Sequence, residues 1–207
     1  MDVLKEILLI LGTVSFSISG ALSAIRKKMD VFGVSMVGAI TAIGGGIIRD
    51  TILGNTPPLI FETPEFVLIA IGVPIIIFIP AIRKWFTDDH VWFETSLLIA
   101  DSIGLGIFTV NGVETALFSR GCDSFLFSML IGVLTGVGGG VLRDILIGER
   151  PYIFMKHFYA CAALVGAAFC YLTWPVFGLA WSMLIGGILI IGLRLLAAKY
   201  HWGLPHA

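Results

Sequence analysis

Of 207 residues, 57% are hydrophobic and 13% charged, and the mean hydropathy is +1.00, whereas soluble domains average about 25% charged. That excludes an ordinary soluble domain and marks an integral membrane protein. A formal net charge of −1 offers no basic surface for nucleic acid.

A helix needs about 20 mostly apolar residues to cross the hydrocarbon layer. Seven segments qualify, at about 4–25, 32–54, 66–82, 92–110, 125–148, 158–174 and 176–196. The first is followed by Ala21-Leu22-Ser23-Ala24, which resembles a secretory signal with its cleavage site. Asp2 and Glu6 offset Lys5, however, and the apolar run continues to Ile25, so it reads as a retained helix. Turn and charge signals separate the segments: Arg26-Lys27-Lys28, Asn55-Thr56-Pro57-Pro58, Arg83-Lys84, the stretch from Arg120 to Asp123, and Glu149-Arg150-Pro151. The last boundary rests on Trp174-Pro175 alone. Pro74 is expected to kink the third segment. Trp85, Trp92, Trp174, Trp181 and Trp202 fall near segment ends, as an interfacial belt would.

Seven crossings put the termini on opposite sides. One side receives Arg26, Lys27, Lys28, Arg83, Lys84, Arg150, Lys156, Arg194 and Lys199, the other only Lys5 and Arg120. The positive-inside rule then predicts an outside N-terminus and a cytoplasmic C-terminus in the cell's inner (plasma) membrane.

Within the second segment stands Gly44-Gly45-Gly46-Ile47-Ile48-Arg49-Asp50, and 94 positions later, in the fifth, Gly138-Gly139-Gly140-Val141-Leu142-Arg143-Asp144. Gly38 and Gly132, Thr41 and Thr135, Gly54 and Gly148, and Pro57 and Pro151 match at the same offset. Segments two and five run in opposite directions, so the expected architecture is all-α. It comprises two inverted three-helix repeats (about 4–82 and 92–174) plus a seventh helix (about 176–196), in one transmembrane domain. Segments one and four align less well; Gly20 sets against Gly104 only with about ten extra residues in the second half, which puts Asp101 opposite Ser17.

Three adjacent glycines are poor helix formers, each costing roughly 1 kcal/mol relative to alanine. The expectation is a local break at each triplet, freeing carbonyl oxygens for a cation. Isolated glycines such as Gly20, Gly132 and Gly136 read as close-packing contacts. Ionisable groups in apolar runs are expensive and functional by default, so Arg49, Asp50, Asp101, Arg143 and Asp144 join the candidate ion path. Thr41 and Thr135, three residues before the triplets, are counted with it. Each arginine has a structural role open to it as well, neutralising its neighbouring carboxylate. The serines around Ser17 read as helix-bonded. Cys122, Cys161 and Cys170 lack metal or disulfide spacing, and His90, His157, His201 and His206 are scattered, so no structural metal is expected. No phosphate loop, G-x-S-x-G or H-E-x-x-H occurs, which argues against an enzyme and against a cofactor.

Two copies of G-G-G-x-x-R-D, each followed by a glycine and a proline in a seven-segment chain of this length, resemble the bacterial branch of the trimeric intracellular cation channel family. The same sequence domain has also carried a glycine-transporter label. The motif resemblance runs from about Ala21 to Pro151, the layout to the last segment; Asn55 replaces the charge that stands as Glu149 in the second copy. The resemblance implies a homotrimer whose protomers each enclose a potassium-permeable pore, with segments two and five bent at Gly44, Gly45, Gly46 and at Gly138, Gly139, Gly140. Animal members are too distant for their calcium-store role or lipid regulation to carry over. The expected function is a passive monovalent-cation channel, and no T-V-G-Y-G filter calls for strong selectivity. The rival is a secondary transporter of a small zwitterion such as glycine.

Overall fold

The computed structural model describes residues 2–119, 124–155 and 158–202. Arg120, Cys122, Asp123, Lys156, His157 and His206, which enter the sequence reading, lie outside the described residues. The chain runs through α1 (Asp2–Arg26), α2 (Val31–Leu53), a 3-10 turn (Leu59–Phe61), α3 (Pro64–Phe78), α4 (Pro80–Thr87), α5 (His90–Leu117), α6 (Phe125–Leu146), α7 (Tyr152–Met155), α8 (Tyr159–Phe177) and α9 (Leu179–Lys199).

The caps explain the boundaries. Asp30 accepts from the backbone N–H of Gly33 to start α2, and Asp89 accepts from those of Val91 and Trp92 to start α5. Gly54 and Gly148 end the two motif helices in the left-handed region, at φ 75° and 70°. The N–H groups of Asn55 and Glu149 then reach back to the carbonyls of Asp50 and Asp144, each at 2.8 Å.

Among the described residues, six helices (α1, α2, α5, α6, α8 and α9) are long and apolar enough to cross a membrane. The fifteen residues of α3 span only roughly 22 Å at 1.5 Å per residue. The bend falls not at Pro74, through which α3 stays helical, but at Ile79-Pro80, where α4 turns away by 78°. With α4 as a bent pair, α3 makes a candidate seventh span. The sixth and seventh segments part at Gly178 (φ 77°), with Pro175 still inside α8. The chain is thus a multi-pass, all-helical membrane protein. Its outer faces are apolar, with Leu68, Leu126, Leu172 and Ile188 exposed, while arginines and acids lie inside.

Helices α2 and α6 cross antiparallel at the two triplets, and the helical backbone continues without interruption through both. The expected breaks are therefore absent, and the triplets free no carbonyls by interrupting the helix. The glycines serve approach instead. A Cβ on Gly45 would fall on the carbonyl oxygen of Thr135, and one on Gly139 on that of Thr41. Gly44 faces Leu142 as Gly138 faces Ile48. Lipid tails give helices no hydrophobic reason to associate, so close backbone contact is what holds such a crossing.

Contacts of the first and fifth helices correct the alignment. Gly20 packs on Gly38 and Thr41, and Gly112 packs on Gly132 and Thr135 in the same way. Gly12 meets Phe108, and Gly104 meets Phe16. The offset between α1 and α5 is therefore 92 positions, placing Gly20 opposite Gly112 and Ser17 opposite Thr109. Two extra residues, not ten, separate the halves' motifs, and Asp101 stands opposite Leu9.

Candidate functional site

Each motif arginine bonds the aspartate that follows it. Arg49 Nε donates to Asp50 Oδ1 at 2.8 Å, and Arg143 Nε to Asp144 Oδ1 at 2.8 Å. The second carboxylate oxygen ties down the chain after the helix: Leu59 N–H donates to Asp50 Oδ2 at 3.0 Å, and Tyr152 N–H to Asp144 Oδ2 at 2.8 Å. Adjacent residues on a helix point about 100° apart, so the pair closes only because arginine is long and turns back. The neutralising role considered from sequence is thus what the pairs adopt.

The outer guanidinium nitrogens distinguish the two sites. Arg49 Nη1 donates to Asn111 Oδ1 at 2.7 Å; the Asn111 amide donates to Glu114 at 3.3 Å, and Lys5 closes the chain on Glu114 at 2.8 Å. Arg143 Nη1 donates instead to Ser19 Oγ and to Asp101 Oδ1, the latter at 2.6 Å. Ser19 and Asn111 occupy corresponding places on α1 and α5. In the second site a further acid, Asp101, meets the motif arginine directly, and Arg194 of α9 lies 3.5 Å from Asp101 Oδ2; in the first site the further acid, Glu114, is reached only through Asn111. The Arg194 guanidinium also lies 4.4 Å over the Tyr159 ring. All four charged residues of the second site are at most 1% exposed. Arg49 is 8% exposed.

Each site opens on its own cavity, and the two cavities lie at opposite ends of the molecule. The first, of about 290 Å³, is lined by Lys5, Gly46, Arg49, Asp50, Glu62 and Asn111. The second, of about 400 Å³, is lined by Glu94, Asp101, Tyr152, Arg194 and His201. Between them stand the glycine crossing and the tilted pair Phe16–Phe108, with ring centroids 5.3 Å apart.

The structure places the sequence candidates unequally. Gly46 and Gly140 face the charged pairs, the latter lying beside Tyr159 and Asp101, whereas Gly44, Gly45, Gly138 and Gly139 form the crossing. Thr41 and Thr135 line neither cavity. Their hydroxyls donate to Val37 and Ile131 carbonyls at 2.6 Å each and pack against Gly20 and Gly112. Ser17 bonds the Ala70 carbonyl at 3.3 Å on another helix, not its own. Cys170 is buried, Cys161 is half-buried, and both are free.

Sequence reasoning does not reach Asn111, Glu114 or Arg194 as site residues, and it reads Ser19 as helix-bonded where the structure has it accept from Arg143. The apolar run of the fourth segment closes at about 110, whereas α5 runs on to Leu117 and brings Asn111 and Glu114 into the bundle. Their signal was present: two polar side chains three apart beside Gly112 in a continuing apolar run. Arg194 was counted as a terminal charge, although it stands within the apolar stretch of α9.

The class defined by this fold is a multi-pass helical membrane protein with charge paired inside its bundle. A family model described as "Glycine transporter" matches residues 6–81 and 98–175. The UPF0126 inner membrane protein YadS of Escherichia coli K12 is 35% identical over 204 residues, covering 95% of this chain and 92% of its own. A prokaryotic TRIC channel solved in 0.5 M KCl superposes with a TM-score of 0.89 at 34% identity, covering 99% of this chain and all of that one. The TRIC trimeric intracellular cation channel orthologue of Rhodobacter sphaeroides gives 0.84 at 34% identity, covering 96% and 98%. The chain belongs to the TRIC cation channel family, whose sequence domain also carries the UPF0126 and glycine-transporter labels.

Proposed function

We propose that this chain is a passive, potassium-permeable channel with one ion path in each protomer, running from the Arg49–Asp50 cavity past the glycine crossing to the Asp101–Arg194 cavity. The observation that carries this reading is the pair of equivalent buried Arg–Asp sites, the first lining one cavity directly and the second reaching another through Asp101 at the opposite end of the bundle. Paired charge of this kind keeps arginine from repelling cations while leaving the Asp50 and Asp101 carboxylates beside the two cavities. Membership in a family of cation channels supports it, since neighbours alike over nearly their whole length are described as conducting cations.

A finer reading goes with it. The chain is one transmembrane unit of seven crossings, in which two inverted halves are related by the 94- and 92-position equivalences and α9 stands apart. The antiparallel crossings of α1 with α5 and α2 with α6 support the inversion. The N-terminus faces outward and the cytoplasmic end carries Arg26, Lys27 and Lys28; the protein is a homotrimer in the inner membrane. The word "trimeric" describing the Rhodobacter neighbour supports the assembly. Ion path residues are Gly46, Arg49, Asp50, Asp101, Gly140, Arg143 and Asp144, with Thr41, Gly44, Gly45, Thr135, Gly138 and Gly139 setting the approach of the two helices. No chemical step is involved and no cofactor is needed.

Purified protein in planar bilayers is expected to show unitary potassium currents. A secondary carrier of a small zwitterion is the second reading, favoured by charge of both signs (Arg49 and Glu62) in the first cavity and by the family model's description. Saturable uptake of labelled glycine without unitary currents would select it, because alternating access proceeds in steps of μs–ms or longer.

A further inference from the structure

We propose that Arg194 is a tethered cation seated in a monovalent-cation site built on Asp101, and that a permeating cation takes the site when the arginine withdraws. The inference rests on the channel reading above and adds an occupant and a competitor to one of its two sites.

Asp101 and Arg194 are the groups that make the second site unlike the first. The position corresponding to Asp101 on α1 is Leu9, and Arg194 comes from α9, which has no counterpart in either half. The two face each other inside the bundle, each 1% exposed.

The two carboxylate oxygens of Asp101 are held very differently. Oδ1 receives Arg143 Nη1 at 2.6 Å, a short charge-assisted bond. Oδ2 is buried, has no hydrogen-bond partner among the described residues, and meets Arg194 Nη2 at 3.5 Å. A buried anionic oxygen that accepts no hydrogen bond favours a cation in direct contact. The Tyr159 ring forms one wall, with Arg194 4.4 Å above it, and the Tyr159 hydroxyl has no hydrogen bond among the described residues. A carboxylate oxygen, a phenolic oxygen and an aromatic face suit a partly dehydrated alkali cation as well as a guanidinium.

Access and charge both permit the exchange. Asp101 and Arg194 line the 400 Å³ cavity that reaches His201 at its rim. With Arg143 and Arg194 set against Asp101 and Asp144, the site is neutral. Replacing the Arg194 head by a small cation leaves it neutral, so no uncompensated charge is buried. Arg143 is not the mobile partner, because Asp144, Ser19 and Asp101 all accept from it.

The test uses the purified full-length protein. Thermal unfolding in detergent is followed for wild type and Arg194→Ala in potassium chloride, choline chloride and low-millimolar guanidinium chloride at matched ionic strength. The variant is expected to be destabilised in choline and restored by potassium or guanidinium, while wild type responds to neither. Asp101→Asn combined with Arg194→Ala is expected to lose the response. Should the alanine variant not fold, Arg194→Gln keeps the volume and carries the same comparison. In liposomes, Arg194→Ala is expected to pass potassium severalfold faster than wild type, and guanidinium to reverse the gain. A folded variant insensitive to both cations overturns the proposal, as does a double variant that responds equally. Cation-dependent stabilisation without any flux in either protein would sustain the site and sink the channel reading.

Discussion

Gly45 and Gly139 meet across the α2–α6 crossing as mirror partners, each with its α-carbon against the carbonyl of the threonine four residues before the other. The contact explains why three glycines stand together. The middle glycine sets the helix approach, the first accepts an aliphatic side chain from the other helix, and the third leaves room beside the arginine of its own helix.

Gly45→Ala and Gly139→Ala must therefore push the helices apart, because the atom met is backbone. Overpacking of this kind costs about 1–3 kcal/mol. Each is expected to lower the midpoint of thermal unfolding in detergent. Gly72→Ala is the control, since nothing lies within 4 Å of a Cβ there, and it is expected to leave the midpoint unchanged or slightly raised.

Loss of the second-site arginine is expected to be the more damaging of the two. Arg143→Gln unpairs two buried acids at once, leaving Asp144 with the Tyr152 N–H and Asp101 with Arg194 at 3.5 Å, and breaking a buried pair costs about 3–5 kcal/mol. Arg49→Gln leaves Asp50 bonded to the Leu59 N–H beside an accessible cavity. Chemical denaturation of the two variants in one detergent should rank them in that order, and equal losses would contradict it.

Phe16 fills the space between the cavities, touching Phe108 and lying 3.5 Å from a Cβ placed on Gly139. Phe16→Ala removes this plug, so potassium flux in liposomes is expected to rise above wild type. Unfolding measured beside it separates a wider passage from a damaged fold, because a large-to-small core change also costs about 3–5 kcal/mol.

The basic end is expected to face the cytoplasm. In a background free of native cysteines, Lys5→Cys should react with a membrane-impermeant thiol reagent on intact cells, and Lys84→Cys only after permeabilisation. The reverse pattern would invert the topology.

Helix α4 carries Arg83, Lys84 and Trp85, the last 63% exposed and edge-on to Trp92 at 5.6 Å. Bent 78° from α3, it is expected to lie in the headgroup layer. Fluorescence of a protein retaining Trp85 alone should be quenched more by lipids brominated near the glycerol than by those brominated at the chain end.

Much of this was legible in the sequence. Apolar length located the spans, because a helix in lipid must satisfy its own backbone and therefore needs a minimum run. Duplication of the Arg-Asp motif marked both buried pairs, since charge in such a run demands a reason. Local sequence could not say how glycine would be used. Triplets suit either a broken helix or a close crossing, and only the position of Thr135 and Thr41 on the opposing helix decides for the crossing. The pairing of α1 with α5 was equally hidden, because glycine spacing alone fits several offsets and only mutual contacts such as Gly12 with Phe108 choose 92. Asp101 and Arg194 stand 93 positions apart on helices that share no motif; what brings them together is packing, which no window along the chain can read.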